Sequence, residues 1–281
     1  MTKQGPTARQ RKLASELRRL REAAGLNPEQ AAGLLGWSRP KLVKIETASQ
    51  LPSVSDVERI LDAYGPAEPL RLALLKLARD VRQRGWWTSF SDVLAGSYAE
   101  LEYAASRIRT WQPQLVPGLL QTEDYARTLI RGHFPDLPTE EIDRRVQARM
   151  TRRTMLAREN PPRLECVLAE EVLRRPVGGR DVMRAQLRTL LAAVERPNIS
   201  LRVVPIERGH YPSIGTGGLV LFEFDSLVDL SVAYMETVAG GRYEENVTEV
   251  RACTVMFERV ADAALDEKDS AGLIRTIAKE M

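Results

Sequence analysis

A chain of 281 residues exceeds one ordinary domain and has surface enough to bury two cores. Its 43% hydrophobic and 28% charged residues are globular proportions, no apolar run approaches the ~18 residues that span a bilayer, and the polar, basic residues 1–12 lack the apolar stretch of a secretory signal; a membrane-spanning protein is excluded and a cytoplasmic one expected. The net charge of +3 is uneven: up to residue 84, 16 Lys and Arg face 9 Asp and Glu, whereas beyond it 25 face 29, so positive charge gathers in the N-terminal third, as a part meeting phosphates requires.

The first predicted helix covers residues 7–24, with Leu13, Leu17 and Leu20 at three- and four-residue spacing and Gly25 as its stop. Asn27 then reads as the cap of a second helix whose first position is Pro28. Gln30, three residues on, is placed to return its amide to the cap's own N–H. Gly36 ends that helix and Ser38 caps another, over 39–47, with Leu42 and Ile45 on one face and Arg39, Lys41 and Lys44 projecting elsewhere. Two short capped helices joined by a tight turn, the second carrying cations, form the pattern of a helix-turn-helix DNA reader. Ser53 or Ser55 caps a further helix to Tyr64, which Gly65 and Pro66 end. A fifth helix over 68–84 lines up Leu70, Leu74 and Leu77, widened by Leu72 and Leu75, with Arg71, Lys76, Arg79, Arg82 and Arg84 outside; it would bridge domains or support dimerisation.

From Trp86 onward the texture turns mixed. Strands are predicted over 107–111, 164–168, 199–204, 219–224 and 230–235, and helices over 122–131, 139–159, 180–195 and 244–264. The expected fold class is mainly α with α+β: an N-terminal all-α helix-turn-helix bundle (1–66), a connecting helix (67–85) and a larger mixed α/β sensor or partner-binding domain (86–281).

Enzymatic chemistry finds little support. His133 and His210 are the only histidines and neither has a second His or Cys at ligand spacing, so no metal is expected, and no cofactor. Gly215-Thr216-Gly217-Gly218 lacks the Lys-Ser/Thr ending of a phosphate cradle and reads as a turn into the strand at Leu219. Glu170 and Glu171 read as a surface ion pair with Arg174, and Glu100 and Glu102 suggest no acid/base pair either. Cys166 and Cys253, in apolar surroundings, read as small buried side chains. No catalytic residue is assigned.

Residues 25–46 resemble the XRE class of helix-turn-helix proteins, the family of the phage repressors. Trp86-Trp87, the run from Trp111 to Arg127 (WQPQLVPGLLQTEDYAR), and Glu171 to Gly179 (EVLRRPVGG) are similar to the C-terminal domain of the actinobacterial WhiJ-type, Scr1-domain regulators. The resemblance implies a transcriptional regulator of development or antibiotic production, modulated by a small partner protein encoded nearby in an antitoxin-like arrangement. Carried over by position, it puts Arg39, Pro40 and Lys44 at the base-facing positions. Asn27, Gln30 and Lys41 are better placed for the backbone, and Ser38 caps the reading helix. Pro40 departs from the family pattern: it offers no hydrogen bond and could at best touch a thymine methyl. Arg39 suits bidentate contact to guanine; Lys44 suits a base or a phosphate. Glu46, a carboxylate that phosphates would repel, is expected to bond a neighbouring helix instead. In the C-terminal domain, Trp111, Gln121 and Tyr125 would line a pocket or dock a partner, or else Trp111 and Tyr125 are core and Thr122 caps the helix that follows. The partners expected are double-stranded DNA, a second copy of the chain and a small protein. The competing reading is an antitoxin-like interaction protein that mainly sequesters a small partner and binds DNA weakly.

Overall fold

Thr7 opens the first helix by exchanging bonds with Gln10: its hydroxyl accepts the Gln10 N–H at 3.3 Å while the Gln10 amide oxygen accepts the Thr7 N–H at 3.0 Å. The same reciprocal cap recurs twice, at Asn27 with Gln30 and at Ser53 with Asp56. These local bonds set the starts of α1 (Ala8–Ala23), α2 (Pro28–Leu35) and α4 (Val54–Tyr64), between which lies α3 (Arg39–Glu46), with α5 (Glu68–Asp80) following. Gly36 ends α2 with φ +63°, a left-handed turn that a side chain would strain. The computed structural model describes residues 6–82, 85–90, 92–94, 97–212, 214–225, 231–237 and 240–281.

Described residues up to Thr88, with 97–101 and 224–225, form one compact unit, and the remaining described residues form a second. The core of the first is built from all five helices: Leu13 and Leu17, Leu35, Leu42 and Ile45, Ile60 and Leu61, Leu74 and Leu77 are fully buried together. Burying each such side chain is worth roughly 1.5–3 kcal/mol, so the helix pair around Gly36 is held by packing more than by its short helices' own propensity. The helix expected to connect the domains is thus part of this core. Leu72, expected on its apolar stripe, is exposed. It stands two residues, about 200°, away from both Leu70 and Leu74, and so faces outward. Arg84 lies outside the described residues.

The second unit is organised by a six-stranded mixed sheet. α6 (Tyr98–Ala104) belongs to the first unit up to Leu101 and to the second from Glu102; then in chain order come β1 (Arg107–Gln112), α7 (Glu123–His133), α8 (Thr139–Arg153), β2 (Arg163–Ala169), α9 (Glu170–Arg174), α10 (Arg180–Ala193), β3 (Ile199–Val204), β4 (Leu219–Glu223), β5 (Val232–Thr237), β6 (Gly240–Glu244), α11 (Val247–Ala263) and α12 (Glu267–Glu280). The strand order is β3-β2-β1-β4-β5-β6, with β1, β2 and β3 parallel and the other pairings antiparallel. Ile108 sits opposite Leu164 on one side and Phe222 on the other. β2 is buried almost continuously from Cys166 to Ala169, as a parallel strand covered on both faces must be. α11 lies against β1, β3, β4 and β5, and α12 against β3 and α10. Ser270, fully buried on α12, accepts the Val203 N–H at 2.9 Å and so satisfies part of the outer edge of β3.

Several predicted boundaries move, among them that of α5, which stops at Asp80 where a helix to 84 was expected. α8 stops at Arg153 and a 3-10 turn (Thr154–Ala157) follows, where one helix to 159 was expected. α11 begins at Val247 because Asn246 caps it, its side chain accepting the Thr248 and Glu249 N–H groups, and Glu244 belongs to β6. The fifth strand is Val232–Thr237; Leu230, where it was expected to start, lies outside the described residues. α6, β6, α9 and α12 were not anticipated.

Candidate nucleic-acid interface

α3 is divided lengthwise. Leu42 and Ile45 enter the core, while Arg39, Pro40, Val43 and Lys44 are exposed. The helix is fixed from behind by Glu46, whose two carboxylate oxygens accept from Arg21 Nε at 2.8 Å and Nη2 at 3.0 Å, both side chains being buried. This is the bond to a neighbouring helix that the sequence suggested for Glu46. Beside it lies Tyr64, whose hydroxyl burial, reinforced by the Glu46 charge, pushes up to about 12.

Arg39 is exposed and forms an ion pair with Glu29 in the first turn of α2, Nε to Oε1 at 2.7 Å. Pro40 occupies the first turn of α3, where its missing N–H costs no helical bond. Ser38 stands at the cap position but makes no capping hydrogen bond, so its exposed hydroxyl is not consumed by the helix as the sequence implied. Asn27 and Gln30 are exposed and hold each other in the reciprocal cap, at 2.9 and 3.0 Å. Lys41 is turned away from the exposed strip: its ammonium donates to Asp56 Oδ1 at 2.7 Å and stands 3.9 Å from the centre of the Trp37 ring. Burial would raise the Asp56 carboxyl, but the hydrogen bonds from Lys41 and Ser53 outweigh it and leave the group below its ordinary value. The structure therefore brings Ser38, Arg39, Pro40 and Lys44 onto one exposed strip and sets Lys41 to a supporting task.

Sequence reasoning passed over Val43 and Glu29. Val43 lies four residues after Arg39 and just before Lys44, so placing Leu42 and Ile45 inward already puts it outward.

In the second unit, Trp111 is fully buried on β1, its ring edge-on to Tyr211 at 5.7 Å. Tyr125 and Gln121 clamp one residue: the Tyr125 hydroxyl accepts the Val116 N–H at 3.2 Å, and Gln121 Nε2 donates to the Val116 carbonyl at 2.7 Å. Gln121 Oε1 accepts from Arg149 at 3.0 Å. Thr122 caps α7. All three candidates for partner or ligand contact thus lie inside the packed unit. Gln186, fully buried and not singled out in the sequence, completes the arrangement by accepting the Thr122 N–H and donating to the Leu120 carbonyl, both at 2.7 Å. Glu170 is paired with Arg174 as expected, but it is buried and also accepts the Ile206 N–H at 2.8 Å. Glu102 is held by Arg152 through two bonds of 2.8 Å. Cys166 and Cys253 are free thiols whose ionisation burial pushes up. Among the described residues no three His, Cys, Asp or Glu side chains gather as a metal site would require.

Residues 12–74 match a family model described as a helix-turn-helix domain. No curated protein and no solved structure matches the chain. Residues 95–276, well over half of the chain, match the model described as a domain of unknown function, DUF5753, and the chain belongs to that family, carrying a helix-turn-helix domain ahead of it.

Proposed function

We propose that this protein is a sequence-specific transcriptional regulator that reads double-stranded DNA through α3 as a homodimer, and that its C-terminal domain takes a modulating small protein or ligand, in the manner of the WhiJ-type regulators it resembles. One observation carries the DNA reading: within a helix-turn-helix domain, α3 buries Leu42 and Ile45, is braced by Arg21 and Glu46, and leaves Arg39 and Lys44 exposed on a single strip. An arginine at the N-terminal end of such a helix grips guanine O6 and N7 together, at roughly 1–3 kcal/mol of discrimination. One eight-residue helix touches too few bases to be selective in a genome, which supports two chains on paired half-sites. No described helix is long and apolar enough to cross a membrane.

The test is a fluorescence-anisotropy titration of the full protein against its own upstream region and a scrambled duplex, at several salt concentrations, with Arg39→Ala alongside. Selective binding that Arg39→Ala reduces to the scrambled level supports the reading. Equal, steeply salt-dependent binding to both duplexes by the wild type counts against it and in favour of partner sequestration. Sedimentation and footprinting check the dimer: a stable monomer protecting one half-site would refute it.

A further inference from the structure

Among the described residues, Val43 is the one large apolar side chain that α3 leaves exposed, at 37%. It stands four residues after Arg39 and three after Pro40, so helical spacing lines the three up, with Lys44 beside them. The centre of the strip is therefore apolar, Pro40 and Val43, and its flanks are cationic, Arg39 and Lys44. Neither apolar side chain can donate or accept a hydrogen bond, so whatever they recognise they recognise by apolar contact. An exposed valine also contributes little to the core, which Leu42 and Ile45 supply from this helix.

A surface of that make-up has a chemical complement. The major groove carries anionic phosphates along its edges and, between them, the C5 methyl groups of thymines. The cations on both sides of the apolar pair, in a region of excess positive charge (16 Lys and Arg against 9 Asp and Glu up to residue 84), favour this occupant over an apolar protein surface. We propose that Val43, with Pro40 beside it, is a specificity-determining residue that packs against a thymine methyl in each half-site, while Arg39 takes a guanine nearby. This rests on the DNA-reading function argued above and adds to it the identity of a base and the group by which it is read.

The experiment starts from duplexes that the full-length protein selects out of a randomised pool. In the preferred duplex each thymine is replaced in turn by deoxyuridine, which removes the methyl and leaves base pairing intact, and affinities are measured by anisotropy for the wild type and Val43→Ala. The expected result is that one or two positions per half-site lose about fourfold in affinity on loss of the methyl. Val43→Ala should bind the thymine and deoxyuridine duplexes alike at those positions, with its melting temperature only slightly lowered, since Leu42 and Ile45 supply the core packing of this helix. Deoxyuridine that is neutral at every position, or a penalty that persists undiminished in Val43→Ala, overturns the proposal while selective binding leaves the regulator reading intact. A pool that yields no preferred sequence overturns both.

Discussion

Arg21, near the end of α1, holds Glu46, the last residue of α3, through two N–H···O bonds of 2.8 and 3.0 Å, and its remaining Nη1 donates to the Leu26 carbonyl at 2.7 Å just before α2. One guanidinium thus ties the first helix to the entry of the helix pair and to its exit. Because both side chains are buried, removing one partner leaves an uncompensated charge, which costs roughly 3–5 kcal/mol. Glu46→Ala should lower the stability of the N-terminal unit by about that much. Arg21→Met combined with Glu46→Leu should cost much less than the sum of the two single changes. Urea denaturation of the four proteins gives the cycle; additive losses would sink the account of a coupled buried pair.

Lys41 and Lys44 are three residues apart on one short helix and should behave differently on DNA. The Lys41 ammonium is engaged by Asp56 and Trp37, whereas Lys44 projects from the exposed strip. A lysine that neutralises a phosphate releases about one counterion, so Lys44→Met should reduce the slope of log K against log salt by about 0.9. Lys41→Met should change that slope far less. Anisotropy titrations across a salt series measure both, and equal slope changes would show that Lys41 leaves Asp56 on binding.

Glu29 and Arg39 form an exposed pair, each about 60% accessible, so Glu29→Ala should alter stability by no more than about 0.5 kcal/mol. On DNA its effect should be larger. The carboxylate competes with guanine for the guanidinium and repels phosphates, so its removal should tighten binding at low salt, with the gain shrinking as salt screens the charge. Weaker binding by Glu29→Ala would mean instead that the carboxylate orients Arg39 for its base.

What was legible in the sequence was what short-range chemistry decides. The Asn27–Gln30 cap, the stop at Gly36 and the inward leucines need only neighbours within a turn or two, and the strands around Ile108, Cys166, Leu201 and Leu221 announce themselves by apolar runs. The engagement of Lys41 by Asp56 was not legible because that partner belongs to another helix. β6 escaped notice because Gly240, Gly241 and Arg242 carry no apolar alternation; they form a strand through their pairing with Met235, Glu236 and Thr237. The core reading of Trp111 and Tyr125 was already open in one dimension, whereas the burial of Gln121 was not, since it depends on bonds to Val116 and from Arg149 that the sequence pattern does not show.

Asp56 gives the N-terminal unit a pH dependence with a definite sign. Its folded-state value is depressed below the ordinary one, chiefly by hydrogen bonds from Lys41 and Ser53 that outweigh its burial. In the window between the two values the unfolded chain binds more protons, so this contribution is fully present above the ordinary carboxylate value, about pH 4, and is lost as pH falls through the folded value. Lys41→Met should therefore melt below the wild type at neutral pH, and the gap should close on acidification. A gap that stays constant well below pH 4 would assign the loss to packing on Trp37 instead of the ion pair.

Gln121 and Tyr125 hold the N–H and C=O of Val116 from two sides, and Gln121 is in turn held by Arg149. Gln121→Ala leaves the buried Val116 carbonyl unmet and removes the bond that Arg149 donates to Gln121, a loss of about 1–3 kcal/mol. Tyr125→Phe leaves only the Val116 N–H unmet and should cost less. Because both bonds order the same turn between β1 and α7, the first break frees the segment that the second bond would hold, and the double variant should lose less than the sum. Thermal melting of the three variants tests this. If Gln121→Ala instead melts like the wild type while weakening the response to a partner protein, Gln121 serves recognition, and the bond to Val116 merely parks the side chain until that partner arrives.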